Sequence, residues 1–272
     1  MVDRTLASTL VEGSISALNY ANKLNGFVMA MFITSVAAVI YPMLSKLSSE
    51  ENKEKFISSV VQSINSVILL VIPISIGAIV LATPIVKLLF QRGEFDVRAT
   101  SMTAIALIMY SIGMVAFGLR DILGKVFYAL QDTKTPMING AMAMIMNIVL
   151  NIILVKYLQL AGLALATSIS AIVCIFLLFG SLKKKIGYFG QDKIVKTTIK
   201  SIVAAVVMGI VTYFTYNMIS KILGGGFIKE SISLVVSVGI GAITYGIFVV
   251  VLNVEEINII MDMIKRKLKN VE

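Results

Sequence analysis

Seven apolar runs, each near or beyond the length that crosses a bilayer, dominate this chain. A spanning helix needs roughly 20 mostly apolar residues. The runs cover about 27–44, 56–81, 99–129, 136–155, 162–182, 199–219 and 232–252. Charged residues make up only 14% of the sequence, where a soluble domain carries about a quarter. That leaves too little charge to coat a water-facing surface. The fold class that follows is all-α, a polytopic helical membrane protein. One cysteine excludes an intrachain disulfide scaffold, and the apolar mass excludes a disordered chain or a nucleic-acid module despite a net charge of +9. Histidine is absent, so the commonest general base and metal ligand is missing. No nucleophile–base pair and no nucleotide loop is visible, and no enzyme is expected.

Alternate connections lie on opposite sides of the membrane. The side holding Lys46, Lys134, Lys183–Lys185 and the tail carries fifteen basic residues, and the other carries six. The richer side is expected to be cytoplasmic, with the C-terminus on it. Three basic residues fit no ordinary loop: Arg4, Lys23 and Arg120. The run 99–129 is longer than a bilayer needs, so it is expected to tilt or to project into the cytoplasm. Arg120, Asp121 and Lys125 then read as part of that projection. Residues 255–269 place Ile257, Ile260, Met261, Ile264 and Leu268 on one stripe with charges opposite. This is the pattern of an amphipathic helix on the inner leaflet. The start is too polar to span, yet Leu6, Leu10 and Ile15 keep helical spacing. It reads as the end of a helix that begins upstream or, alternatively, as a short re-entrant or surface segment.

Two polar groups stand out. Lys23 has Asn19, Asn22 and Asn25 around it. It is either a cation snorkelling at the interface or a cavity group suited to a phosphate or carboxylate. Asn147 and Asn151 are four residues apart in an apolar run and share a helix face. They either hydrogen-bond between helices or, with oxygens such as those of Asp3 and Thr167, form a hard-cation site.

Several segments together resemble one family: GSISALNYANKL (13–24), VIYPMLSKL (39–47), LLFQRGEFD (88–96), FYALQDTKTP (127–136) and GLALATS (162–168). In this order they are similar to the C-terminal half of MurJ/MviN lipid II flippases. The resemblance implies one six-helix transporter lobe over 1–190 with its first helix truncated, a two-helix extension over 191–253 and a cytoplasmic tail over 254–272. It implies a multi-pass protein of the bacterial cytoplasmic membrane, acting with a missing N-terminal lobe. It implies alternating-access transport of undecaprenyl-pyrophosphate-linked peptidoglycan precursor. Related polysaccharide or sporulation exporters, and a non-transporting membrane interaction protein, remain as alternatives. By the same resemblance Lys23, with Asn19 and Asn22, binds substrate; Lys23 falls where the family has arginine. Asp3, Asn147, Asn151, the Leu163 carbonyl and Thr167 fall on a possible sodium site, in which the position of Asn151 is elsewhere Asp. The last two helices, with Gly209, Gly239, Gly241 and Gly246, would form a groove for the lipid tail. No other cofactor is implied.

Overall fold

The computed structural model describes residues 2–50 and 52–256. The amphipathic stripe expected over 257–268 lies outside the described residues.

The described chain is helical from end to end. A short helix α1 (Val2–Ala7) is followed by α2 (Ser14–Val28). A wide π-type turn over Met29–Ile33 joins α2 to α3 (Thr34–Ser49). The three pieces form one 36-residue crossing from Ser14 to Ser49, longer than the expected 27–44. It carries Asn19, Asn22 and Lys23 inside the helix rather than at its entrance. Next come α4 (Lys53–Val80), which runs through Pro73 without a break, and the short α5 (Ala82–Phe90).

The long run 99–129 is not one projecting helix. It is α6 (Val97–Ile112) and α7 (Met114–Ala129), bent by 46° at Gly113. A Cβ on Gly113 would lie 2.6 Å from Cα of Ser168, so only glycine lets the neighbouring helix this close. Ile122, Leu123, Val126 and Phe127 are fully buried, so α7 belongs to the body of the lobe.

The two runs expected at 136–155 and 162–182 join without a loop. They form α8 (Lys134–Ile186), whose single non-helical residue is Gln159 (φ 49°, ψ −125°). A straight helix would hold Asn139 and Ser181 about 60 Å apart at 1.5 Å per residue. Their side chains instead meet at 3.1 Å, and Lys185 meets Asp132 at 2.7 Å. The arms 134–158 and 160–186 therefore fold back on each other as a hairpin. Gly162 makes the reversal possible, because a Cβ there would collide with the Leu154 carbonyl. Together with the bent α6–α7 crossing and α9 and α10 below, this hairpin completes seven membrane passes.

The far end of the hairpin is locked by the FYALQDTKTP segment. Asp132 accepts from the backbone N–H (3.0 Å) and hydroxyl (2.8 Å) of Thr135, and from the Lys185 ammonium. The Lys185 ammonium holds its carboxyl down to about 2.

Helix α9 (Gln191–Leu223) packs on α4, and α10 (Phe227–Val251) packs on α9. Tyr245 donates to the Leu69 carbonyl at 2.9 Å and shares a hydrogen bond with Ser201 at 2.8 Å. Two of the four glycines noted in these helices serve close packing: Gly209 against Ile76 and Gly241 against Thr212. Gly239 and Gly246 face open space. Beyond α10 the chain turns back: Val254 is buried and Glu256 accepts from Asn65 on α4. Lipid tails are as apolar as leucine, so association here rests on close packing and interhelical hydrogen bonds rather than on water exclusion.

Candidate functional site

Helix α2 buries one stripe, Ser14, Ala17, Leu18, Ala21 and Asn25, against the lobe. At 100° per residue, Lys23 points the opposite way. It is exposed, as is Asn22, while Asn19 is half-buried. Lys23 thus lies on the open face of the lobe and not in its interior. Its ammonium sits 5.3 Å from the Tyr20 ring centroid, in range for a cation–π contact. Tyr20 is itself held by Phe90 (4.7 Å) and Phe95 (5.3 Å) of the LLFQRGEFD segment. That segment owes its shape to Gly93 at positive φ and to Asp96, whose carboxylate caps α6 at the Ala99 N–H, 2.7 Å away. Two motifs far apart in sequence therefore place one cation.

Between the first crossing and α7 lies a cavity of about 350 Å³. Asn22, Asn25, Gly26, Met29, Ile33 and Thr34 line it from the first crossing, Phe117, Arg120 and Asp121 from α7, and Thr167 from α8. The π-type turn forms part of this wall, where the Thr34 hydroxyl reaches back five residues to the Met29 carbonyl at 3.4 Å. Gly118 admits the turn, since a Cβ there would lie 3.0 Å from Ile33 Cδ1. Arg120 and Asp121 are part of this wall, where the sequence suggested a cytoplasmic projection. The clue available in the sequence was that Arg120 belonged to no loop. Lys23 is not among the lining residues of this cavity. Lys125, farther along α7, lies 5.8 Å from the Tyr41 ring centroid of VIYPMLSKL.

Beside the cavity, Asp3, Asn147, Asn151, Leu163 and Thr167 come together. The Asn151 amide nitrogen donates to Asp3 and, at 3.0 Å, to the Asn147 oxygen. Asn147 donates to the Thr167 hydroxyl at 3.4 Å, and Thr167 donates to the Leu163 carbonyl at 3.1 Å. Thr167 therefore joins this cluster to the cavity wall. Asn151 is fully buried, and its side-chain oxygen has no partner. The donor set is rich in oxygen, but a nitrogen stands between Asp3 and Asn147, where a bridging cation would need oxygen on every side.

The family model described as lipid II flippase MurJ matches residues 1–234. The chain belongs to the MurJ family. A probable lipid II flippase MurJ of Vibrio cholerae is 34% identical over 245 residues, covering 90% of this chain and 47% of that protein. The lipid II flippase MurJ of Burkholderia cenocepacia is 31% identical over 185 residues, covering 68% and 36%. A solved structure of lipid II flippase MurJ in an inward closed conformation superposes with a TM-score of 0.75 at 27% identity, covering 92% of this chain and 50% of that one. The chain spans about half the length of the MurJ relatives it matches. It is a multi-pass membrane protein, and the five segments singled out in its sequence serve identifiable structural ends: Lys23 placement, the Tyr41–Lys125 contact, the aromatic seat, the Asp132 lock and the Gly162–Ser168 packing.

Proposed function

We propose that this chain is one half of a lipid II flippase, moving the undecaprenyl-pyrophosphate-linked precursor across the bacterial cytoplasmic membrane. The observation that carries the reading is the polar face of the first crossing: Lys23 lies on the side of α2 away from its buried stripe, and the Arg120 cavity borders the same helix at Asn22 and Asn25. A cation facing hydrocarbon is expensive, by about 2.5–3.5 kcal/mol near the membrane centre. That face is suited to a second lobe across a shared substrate path, as in transporters whose halves rock about a central site. The second lobe is the half of the MurJ length that this chain does not match. Lys23 holds the pyrophosphate electrostatically, and Asn19 and Asn22 hydrogen-bond to the headgroup. The end of the lobe bearing Lys183–Lys185 and Glu256 faces the cytoplasm. The groove between α9 and α10, beside Gly239 and Gly246, takes the lipid tail.

The cluster around Asn151 works without a resident ion in this reading. Its amide nitrogen already bridges the two acceptors, Asp3 and Asn147, that a sodium ion would bridge.

Genetic complementation tests the reading. Cells depleted of their own flippase, expressing this chain together with the N-terminal half of a MurJ relative, are expected to grow. Growth supported by neither half alone nor both together would reject it.

A further inference from the structure

Pro73 stands inside α4, yet the helix passes through it unbroken. Proline has no backbone N–H, so the Leu69 carbonyl four residues earlier loses its intrahelical donor, and the proline ring crowds it. In a membrane such a carbonyl needs another partner. The extension provides one: the Tyr245 hydroxyl of α10 donates to the Leu69 carbonyl at 2.9 Å. That proton is then committed, so the 2.8 Å bond between Tyr245 and the fully buried Ser201 of α9 is donated by Ser201. Both extension helices therefore serve one carbonyl of α4. The extension also grips the chain on either side of the proline. Asn65 of α4, fully buried, donates to Glu256 just past α10. Lys87 of α5 pairs with Glu230 near the start of α10 at 2.6 Å. Residues 65, 69 and 87 thus meet 256, 245 and 230, an antiparallel order that runs across the proline. Two residues beyond Pro73, Ser75 donates to the Ser111 carbonyl at the bend between α6 and α7.

We propose that α9 and α10 are a splint across a proline joint in α4, with Tyr245 as a positioning residue whose hydroxyl supplies the proton that Pro73 cannot. While Tyr245 is seated, α4 is held continuous through the joint. When it leaves, the turn at Pro73 has neither its own bond nor the borrowed one, and sharp helix kinks, above about 20°, arise at such prolines. Ser75 links the joint to the bend at Gly113, so the two breaks in the lobe move together. The proposal rests on the transport reading, for which it names the place where the lobe changes shape and the part that restrains it.

The test is a spin-label distance measurement on the full chain in lipid nanodiscs, with Cys174→Ala to remove the native thiol. Labels at Leu89 on α5 and Tyr157 beside the hairpin turn, both exposed, report the swing of the segment beyond Pro73. At 1.5 Å per residue that arm is about 25 Å long, so a 20° kink displaces its end by up to about 8 Å. The unaltered chain is expected to give one main distance. Tyr245→Phe, which removes only the hydroxyl, should add a second, displaced population, and adding Glu230→Gln should enlarge it. Pro73→Ala restores an amide to the turn, so in that background Tyr245→Phe should leave a single distance. Tyr213→Phe, on an exposed ring, should change nothing. With an N-terminal half supplied, Pro73→Ala is expected to slow transport severalfold while raising the unfolding midpoint, a combination that loss of a packing contact would not give. A lowered midpoint in Tyr245→Phe with the distance unchanged would make the bond ordinary packing and overturn the splint. A second population that persists with Pro73→Ala would overturn the joint. The distances need no transport: a joint that opens in halves that never flip lipid would keep the splint and sink the transport reading, whereas transport with a single distance in every variant would do the reverse.

Discussion

The Ser168 hydroxyl donates to the Met109 carbonyl at 2.6 Å, across the bend between α6 and α7. That carbonyl is free because the Gly113 N–H bonds to Tyr110 instead. From the other side, Ser75 on α4 donates to the Ser111 carbonyl at 2.5 Å. The break in the helix is thus stapled by serines from two neighbours, which satisfies backbone groups that lipid could not.

Gly113→Ala is expected to destabilise the lobe by about 1–3 kcal/mol, since its methyl group would overpack Ser168. Ser168→Ala should cost about 1 kcal/mol, the scale of one interhelical hydrogen bond in a membrane. Unfolding by detergent titration reads both; a parent-like midpoint in both variants would mean the bend is not fixed by this contact.

How much of this could be read beforehand follows from the physics of each feature. Long apolar runs mark spans because hydrocarbon demands them, so every crossing was visible. The reversal between 136–155 and 162–182 was visible too, as two spans with a short connection, but not that it turns at the single residue Gln159, which is neither glycine nor proline, with the enabling Gly162 three positions on. Asn147, Asn151 and Thr167 were legible as a cluster through helix periodicity and resemblance. Their hydrogen-bond directions were not, because an amide presents either a donor or an acceptor. Arg120 was misplaced because an arginine near the end of a long apolar run reads the same whether the helix projects or bends. Only the bend at Gly113 brings that length of helix back into the lobe.

Asn151→Asp is expected to make the lobe depend on sodium. It replaces the bridging N–H with a second carboxylate beside Asp3, and two adjacent carboxylates need a cation or a shared proton. The unfolding midpoint of the variant at neutral pH should rise with sodium at constant ionic strength, with the unaltered chain insensitive. A sodium response in the unaltered chain would show that the Asn151 nitrogen does not substitute for an ion.

The Asp132–Lys185 lock sets a pH dependence. The Asp132 carboxyl is lowered from 3.8 to about 2 in the folded chain. A lowered carboxyl stabilises the fold fully above its unfolded value and loses that contribution as pH falls through its folded value. The stability difference between the unaltered chain and Asp132→Asn should therefore be constant above about pH 5. It should shrink toward pH 2, from about 1 kcal/mol, because the pair is near the surface. A difference that grows on acidification would contradict the assignment.

Lys23 should matter for transport and not for folding, since it is exposed and, among the described residues, forms no ion pair beyond its cation–π contact with the Tyr20 ring. With a complementary N-terminal half present, Lys23→Glu is expected to abolish complementation with normal membrane insertion. Lys23→Arg should retain it. Tyr20→Leu should weaken it partially by freeing the ammonium. Normal growth with Lys23→Glu as the sole copy would remove Lys23 from the substrate path.

The central claim is that the open face of this lobe is half of a transport path. The most direct measurement is the flipping rate of fluorescent lipid II in vesicles containing this chain, the N-terminal half of a MurJ relative, or both. The account predicts background rates for each half alone and a clear gain when both are present. Robust flipping by a monodisperse monomer of this chain alone would contradict it.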